Sequence, residues 1–241
     1  MLIKEKQSLE LSVIMPCLNE AEAVGHCIAD AFQFMEKHNI KGEVLIVDNK
    51  SEDASARVAE SHGARVVTES RRGYGRAIRT GIANSRGRIL IIGDADTTYD
   101  FEHLEKMYLL LAKGKCDMVI GNRFAGGIEK GAMPIIHKLG VRFLSYCGRK
   151  KFGVDVYDFH CGLRALSRKS AEKLNFFTGG MEFATEFIAE AAANKLSIKQ
   201  VPVRLRKCEC KRKSKLKTVR DGLRHLRYII TNGNNVYRHG Y

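Results

Sequence analysis

Short apolar runs bounded by turn residues recur along the first half of the chain, at residues 11–15 (LSVIM), 44–47 (VLIV), 64–67 (ARVV), 89–92 (ILII) and 118–120 (MVI). Runs of this length, rich in β-branched residues, read as short strands buried on both faces. The segments between them have helical character. Within residues 20–38, Val24, Ile28, Ala31, Phe32 and Met35 recur close to the 3.6-residue period, and Ser51, ahead of Glu52 and Asp53, is placed to cap a following helix. Strand and helix in alternation predict an α/β domain of three layers around a mainly parallel sheet.

That regularity fades after residue 120. Residues 124–133 are Gly-rich and read as a loop, 135–150 as an amphipathic helix and 163–166 as a strand. Residues 181–194 (MEFATEFIAEAAAN) predict a helix, and 197–205 (SIKQVPVRL) a strand that Pro202 confines to a sheet edge, because proline cannot donate to a ladder. A stretch dense in Lys and Arg, 204–217, leads into 218–231 (TVRDGLRHLRYIIT), a basic amphipathic helix suited to an anionic membrane surface. The division expected is a catalytic domain over 1–203, followed over 204–241 by a basic closing segment and that helix.

Charge sharpens the picture. The chain has 241 residues, with 41 Lys+Arg against 27 Asp+Glu, a formal net charge of +14. Since 44% of it is hydrophobic, this excess belongs to a folded domain rather than to a disordered tail. A strongly positive surface favours anionic partners. Nucleic acid is not the expected one: the chain has no Trp and no aromatic RNA-binding motif, and its strand-end carboxylates would repel a bound strand. No run reaches the roughly 18 apolar residues of a membrane span, and the start, with Lys4, Glu5, Lys6 and Glu10, lacks a signal-peptide pattern. The expected location is the cytoplasm, with peripheral attachment to the membrane's cytoplasmic face. Seven cysteines, an odd number, read as reduced thiols, and Cys208 and Cys210 lack a second pair for zinc.

In an open parallel sheet, ligands bind beyond the carboxyl ends of the strands. Pro16, Asn19 and Glu20 follow the first predicted strand, Asp48 ends the second, and Asp94 and Asp96 follow the fourth. Two carboxylates one residue apart on extended backbone point to the same side and repel each other unless a divalent cation compensates them. Mg²⁺ or Mn²⁺ suits such a pair, since it binds one or two carboxylates and leaves positions for diphosphate oxygens. The Gly73-Tyr74-Gly75 run is not a dinucleotide fingerprint. That motif must follow the first strand, which here runs into Pro16-Cys17-Leu18-Asn19-Glu20.

Taken in order, Pro16-x-x-Asn19-Glu20, Asp48 with Ser51 and Asp53, Arg72-Gly73-Tyr74-Gly75, Asp94-Ala95-Asp96 and Gly121-Asn122-Arg123 resemble the inverting family 2 glycosyltransferases of GT-A fold. The likeness is closer to the dolichyl-phosphate mannose and glucose synthases and their prokaryotic polyprenyl-phosphate counterparts. Asp158-Phe-His-Cys-Gly162-Leu163-Arg164, Gly180-Met181-Glu182-Phe183 and the segment 220–227 extend it, so that it covers roughly residues 11 to 230. The resemblance implies a nucleotide-sugar pocket at Pro16, Leu18, Glu20, Asp48, Gly75 and Ala95. It implies a metal held by Asp94 and Asp96, with Thr98 beside them, and a phosphate contact from Arg123. The acceptor phosphate is expected at His137 and Lys138 and at Arg212, Ser214 and Lys215 of the closing segment. Asp158, Glu182 and Glu186 are candidates for a base or for ordering an acceptor loop. Asn49 and Lys50 stand where relatives commonly have Asp-Gly, and Thr98 where some mannosyl synthases have a glutamine ligand.

The activity implied is inverting transfer of glucose or mannose from a nucleotide diphosphate (UDP-glucose or GDP-mannose) to a polyprenyl phosphate. A saccharide hydroxyl is the alternative acceptor. A hydroxyl acceptor needs a carboxylate base in the transition state, whereas a phosphate monoester, with a second pKa near 6, is already largely anionic at neutral pH.

Overall fold

A computed structural model describes residues 9–208 and 218–232. The chain runs β1 (Leu11–Cys17), α1 (Val24–Lys37), β2 (Gly42–Asp48), α2 (Ser55–Ser61), β3 (Arg65–Thr68), α3 (Tyr74–Asn84), β4 (Ile89–Ile92), α4 (Glu105–Ala112), β5 (Met118–Asn122), α5 (Arg123–Gly126), α6 (Ile135–Phe152), β6 (Arg164–Ser167), α7 (Arg168–Ala171), α8 (Phe183–Ala193), β7 (Ile198–Pro202) and α9 (Thr218–Asn232). The β1, β2 and β4 runs are almost wholly buried, as continuous apolar strands covered on both faces should be.

The strands form one sheet in the order β3-β2-β1-β4-β6-β5-β7. All pairs are parallel except those of β6, which runs antiparallel to both β4 and β5. The mainly parallel sheet therefore stands, with one reversed strand. β7 lies at the sheet edge beyond β5 and ends at Pro202, where a missing N–H costs no ladder bond. One expectation needs correction. Ser51 caps no helix, since α2 begins only at Ser55; its hydroxyl instead accepts the Asn19 N–H at 3.0 Å.

Because β6 is reversed, residues 158–163 enter it at the same edge where β1, β2, β4 and β5 leave the sheet. Ile92, the last residue of β4, is paired with Arg164, the first of β6. Arg164 then fixes the entering loop. Its buried guanidinium donates to the carbonyls of Cys161 (2.9 Å) and Phe159 (2.8 Å) and to that of Ala184 in α8 (3.0 Å).

Helix α9 packs against α6 and α8 through Ile229, Leu226 and a buried polar contact. The Thr185 hydroxyl meets His225 Nδ1 at 2.8 Å and His160 Nε2 at 3.2 Å, and the two imidazoles stand edge-to-face 4.3 Å apart. Burial and the charge of Arg164 push His225 down to about 4 against the pull of Asp221, and burial with the neighbouring His225 holds His160 well below its ordinary value. Unfolded histidines take up protons near pH 6.5, so the stability from this contact is complete above that pH and is lost as the pH falls toward about 4. Thermal unfolding across that window should show a shallower pH slope in His160→Gln/His225→Gln than in the unsubstituted chain.

Candidate active site

Two loops lock together at the carboxyl edge of β1 and β2. Glu20 N–H donates to Ser55 Oγ (2.8 Å), Ala21 N–H to Asp53 Oδ2 (3.1 Å) and Glu52 N–H to Asn19 Oδ1 (2.7 Å), while Asp48 accepts the Ser51 N–H on both oxygens (3.4 and 3.3 Å). Burial would raise Asp53, but its hydrogen bonds from Ser55 and Ala21 hold it below the ordinary carboxylate value. The sequence-expected nucleotide residues Pro16, Leu18, Glu20 and Asp48 thus line one rigid ledge, with Glu20 and Asp48 buried and Pro16 and Leu18 half-buried.

The departure at Asn49 has a structural reason. Its buried amide donates to the carbonyls of Glu69 (3.0 Å) and Arg71 (2.9 Å) and accepts the Gly73 N–H (2.7 Å), tying the loop after β3 to the ledge. An aspartate could not make the two donations. Lys50 follows with φ 67°, the left-handed conformation that suits the glycine common at this place.

At Gly75, a Cβ would come within 2.8 Å of the Thr178 carbonyl and 2.7 Å of Phe183 Cβ. Its lack of a side chain lets α3 close onto the segment leading into α8. Gly73, at φ 153°, is likewise pressed against the Gly179 carbonyl, 2.2 Å from where a Cβ would lie.

Beyond β4, where the chain bends at residues 95–99, Asp94 and Asp96 are half-buried with fully buried Ala95 between them. Asp94 accepts a hydrogen bond from the Tyr74 hydroxyl, whose acidity is suppressed first by burial and then by the Asp94 charge. On its other side the Gly162 backbone is so near that a Cβ would fall 2.3 Å from Asp94 Oδ2. Gly162 is itself held by its N–H donating to Tyr99 Oη (2.8 Å). Asp96 accepts the N–H of Thr98 (3.1 Å) and its hydroxyl, both on Oδ1. Thr98 therefore orients Asp96. Between them Thr97, a β-branched residue, is held at φ 62° with its N–H on Cys27 Sγ (3.3 Å). Such strain persists only where its surroundings enforce it.

The donor set at 94 and 96 consists of hard carboxylate oxygens, and among the described residues no His, Cys, Asp or Glu joins them as a third ligand. Two carboxylates without a softer ligand fit Mg²⁺ or Mn²⁺ shared with diphosphate oxygens and do not fit a structural zinc. Asp100, Glu102 and His103 do cluster with their ligand atoms within 4.8 Å of one another, but Asp100 is already paired with His103 (3.0 Å) and Arg206.

Arg123 and Asp158 form one unit. Arg123 Nε and Nη2 each donate at 2.7 Å to Asp158, and the Arg123 N–H adds a third bond at 3.1 Å. Burial opposes the charge on Arg123, yet the Tyr99 and Asp158 oxygens around it raise its affinity for the proton well above normal. Both Asp158 oxygens accept from Arg123, which leaves Arg123 Nη1 outside the pair. Burial and the charge of Arg123 hold His137, the expected phosphate ligand, below its ordinary value. Lys138 lies half-buried in the first turn of α6.

Glu186 is also committed. It accepts the N–H groups of Phe177 (2.8 Å) and Thr178 (3.0 Å) and the Thr178 hydroxyl (2.6 Å), so it orders the loop before α8. Glu182 differs, for its Oε2 is buried with no hydrogen-bond partner. Arg212, Ser214 and Lys215 lie outside the described residues. The chain approaches them over the Asp94–Asp96 loop, where Arg206 N–H donates to the Thr98 carbonyl at 2.9 Å.

Sequence reasoning missed Asn49, Tyr74, Gly162 and Arg164 as parts of this site. Tyr74, Gly162 and Arg164 fall inside motifs quoted for the resemblance, but only the reversed β6 brings the last two beside β4.

Cross-bonded loops, a strand-end carboxylate pair and the buried Arg123–Asp158 pair thus share the carboxyl edge of a mainly parallel sheet. Residues 12–174 match the model of glycosyl transferase family 2, and the chain belongs to that family. Among its relatives, the low-salt glycan biosynthesis hexosyltransferase Agl6 of Haloferax volcanii is 37% identical over 223 residues, 92% of this chain and 53% of Agl6. The chain thus spans about half of that relative's length. A dolichyl-phosphate hexose transferase of the same organism is 28% identical over 194 residues, covering 80% and 82% of the two chains. Among solved structures, glucosyl-3-phosphoglycerate synthase from Mycobacterium tuberculosis, in complex with Mn²⁺, UDP-glucose and phosphoglyceric acid, superposes with a TM-score of 0.74. The identity is 21%, covering 94% of this chain and 80% of that one. The shared fold is GT-A.

Replacing Asn49 by Asp keeps its size but removes both donations. We expect Asn49→Asp to lower stability by about 1–3 kcal/mol in chemical denaturation, the cost of leaving buried carbonyls unpaired.

Proposed function

We propose that this chain transfers a hexose, glucose or mannose, from a nucleotide diphosphate to a polyprenyl phosphate with inversion at the anomeric carbon. The observation that carries this reading is the commitment of the acidic residues. Asp158 accepts from Arg123 on both oxygens and Glu186 accepts from the loop before α8, so two of the three candidate bases are engaged in holding other groups in place. A phosphate acceptor, already anionic, needs none of them.

In this reading the ledge at Pro16, Leu18, Glu20 and Asp48 holds the nucleotide, and Asp94 and Asp96 hold Mg²⁺ or Mn²⁺. The metal, when bound, offsets the negative charge that builds up on the departing diphosphate. Tyr74, Gly162 and Thr98 keep the two carboxylates in place. The acceptor phosphate must approach a diphosphate, a repulsion of about 4 kcal/mol per charge pair at ~4 Å and an effective dielectric of ~20. Arg123, kept charged and aimed by Asp158, Lys138 in the first turn of α6 and the basic residues Arg212 and Lys215 offset it, with Ser214 beside them. His137 contributes a hydrogen bond. The relative named a hexosyltransferase supports hexose transfer, and the one named a dolichyl-phosphate hexose transferase supports this acceptor class.

Attachment to the membrane fits a lipid acceptor. Among the described residues no helix is long and apolar enough to cross a membrane. Helix α9 exposes Val219, Leu223 and Ile230 beside Arg220, Arg224 and Arg227, the composition of a helix lying in an anionic interface. The unpartnered Oε2 of Glu182 favours a second reading in which a saccharide hydroxyl is the acceptor and Glu182 its base.

The two readings separate in one assay, with labelled UDP-glucose or GDP-mannose, Mn²⁺, and either polyprenyl phosphate or soluble oligosaccharide. An acid-labile lipid product is expected; a water-soluble glycan as sole product would reject the lipid reading. Chelation should abolish transfer and added Mn²⁺ restore it, and Asp96→Ala should lower it by at least about 10²-fold, the scale of losing transition-state charge stabilisation. Glu182→Gln should change transfer to the lipid less than about threefold, whereas loss of a true general base costs about 10²–10⁴-fold.

A further inference from the structure

Helix α6 carries an outward apolar stripe. Ile135, Leu139 and Phe143, spaced four apart, are 76, 59 and 57% exposed, and Tyr146 continues the row. An exposed run of this kind on one helix marks an interaction surface. Beside it, one step around the helix, lie Arg142 and Arg149, seven residues apart and therefore on the same flank.

These two arginines line a cleft of about 460 Å³ together with Asn122, Phe124, Ser145 and Tyr157. Each guanidinium lies over an aromatic ring, Arg142 4.8 Å from the Phe124 centroid and Arg149 4.1 Å from that of Tyr157. Stacking leaves the edges of the guanidinium planes, where the N–H groups point, available to an anion. Among the described residues no carboxylate lies within ion-pair distance of Arg142, and Arg149 has only the exposed Asp155 at 4.0 Å. The Nε of Arg149 is buried with no acceptor. A buried donor left this way is costly, and a phosphate oxygen would satisfy it.

We propose that this cleft is a headgroup site for an anionic phospholipid of the membrane. The lipid phosphate sits between Arg142 and Arg149, and its acyl chains lie along Ile135, Leu139 and Phe143. Charge complementarity selects this occupant: two stacked cations, of which only Arg149 has a carboxylate near it, the exposed Asp155 at 4.0 Å, border an apolar stripe, and the packed neighbour α9 adds Arg220, Arg224 and Arg227 around its own exposed apolar residues. The inference rests on the reading of a membrane-resident acceptor, but the site is distinct from the residues assigned to transfer.

Flotation of the full chain with vesicles of phosphatidylcholine containing about one third phosphatidylglycerol, against phosphatidylcholine alone, tests it. The chain should partition onto the anionic vesicles. Arg142→Gln/Arg149→Gln should weaken this by about 30-fold, the equivalent of two cations at about 1 kcal/mol each near an anionic surface. Leu139→Ser/Phe143→Ser should weaken partition to both vesicle types. If the arginine variant, folded by circular dichroism, binds anionic vesicles as the unsubstituted chain does, the site is refuted. It is equally refuted if soluble glycerol phosphate displaces the chain from vesicles, or if the arginine variant loses transfer to a short-chain, detergent-dispersed prenyl phosphate, since the cleft would then serve the acceptor. Arginine-dependent vesicle binding without any transfer to prenyl phosphate by the unsubstituted chain would sustain the headgroup site and defeat the functional reading instead.

Discussion

Because β6 runs against its neighbours, the chain enters it at the edge where the parallel strands end, and the chemistry of the site depends on that reversal. Pairing Ile92 with Arg164 sets the height at which Gly162 meets Asp94 and Asp158 meets Arg123. A register slip of one residue would turn every side chain of β6 to the other face and separate both contacts. Arg164, buried and donating to three carbonyls, fastens the entering loop to α8, so the catalytic edge and the helical layer behind it are positioned by one guanidinium.

Charge in this protein is sorted by how firmly it is held. Arg123 and Asp158 form a buried bidentate pair. Removing one partner from such a pair typically costs about 3–5 kcal/mol, because the other is left as an uncompensated ion. The pair therefore keeps a cation fixed at the site without the reorganisation that a free lysine would require. The cations of α6 and α9 face outward and can respond to whatever surface the protein meets. A tightly held inner charge is thus paired with a loosely held outer layer.

Much of the fold could be read from the chain because continuous apolar runs identify strands buried on both faces. The edge character of β7 followed from Pro202 alone. The direction of β6 could not be read, since a four-residue apolar run has the same pattern in either orientation, and with it went the placement of Gly162 and Arg164. At the site, strand-end acids were legible from position. Whether an acid was free was not, because Asp158 and Glu186 look like bases in one dimension and prove committed only when Arg123 and the loop before α8 fold against them. Ser51 was misjudged for a related reason: its partner, Asn19, is 32 residues away and belongs to another loop.

The loop network around Asn49 bears on how such a site could be altered. Residues 19–21, 48–55 and 69–73 are cross-bonded into a single body, with Asn49 holding the third piece and Asn19 and Ser51 joining the first two. Transplanting one of these stretches from a cousin with different donor preference would strand polar groups on the other two. Recombination here succeeds only if all three segments travel as one cassette.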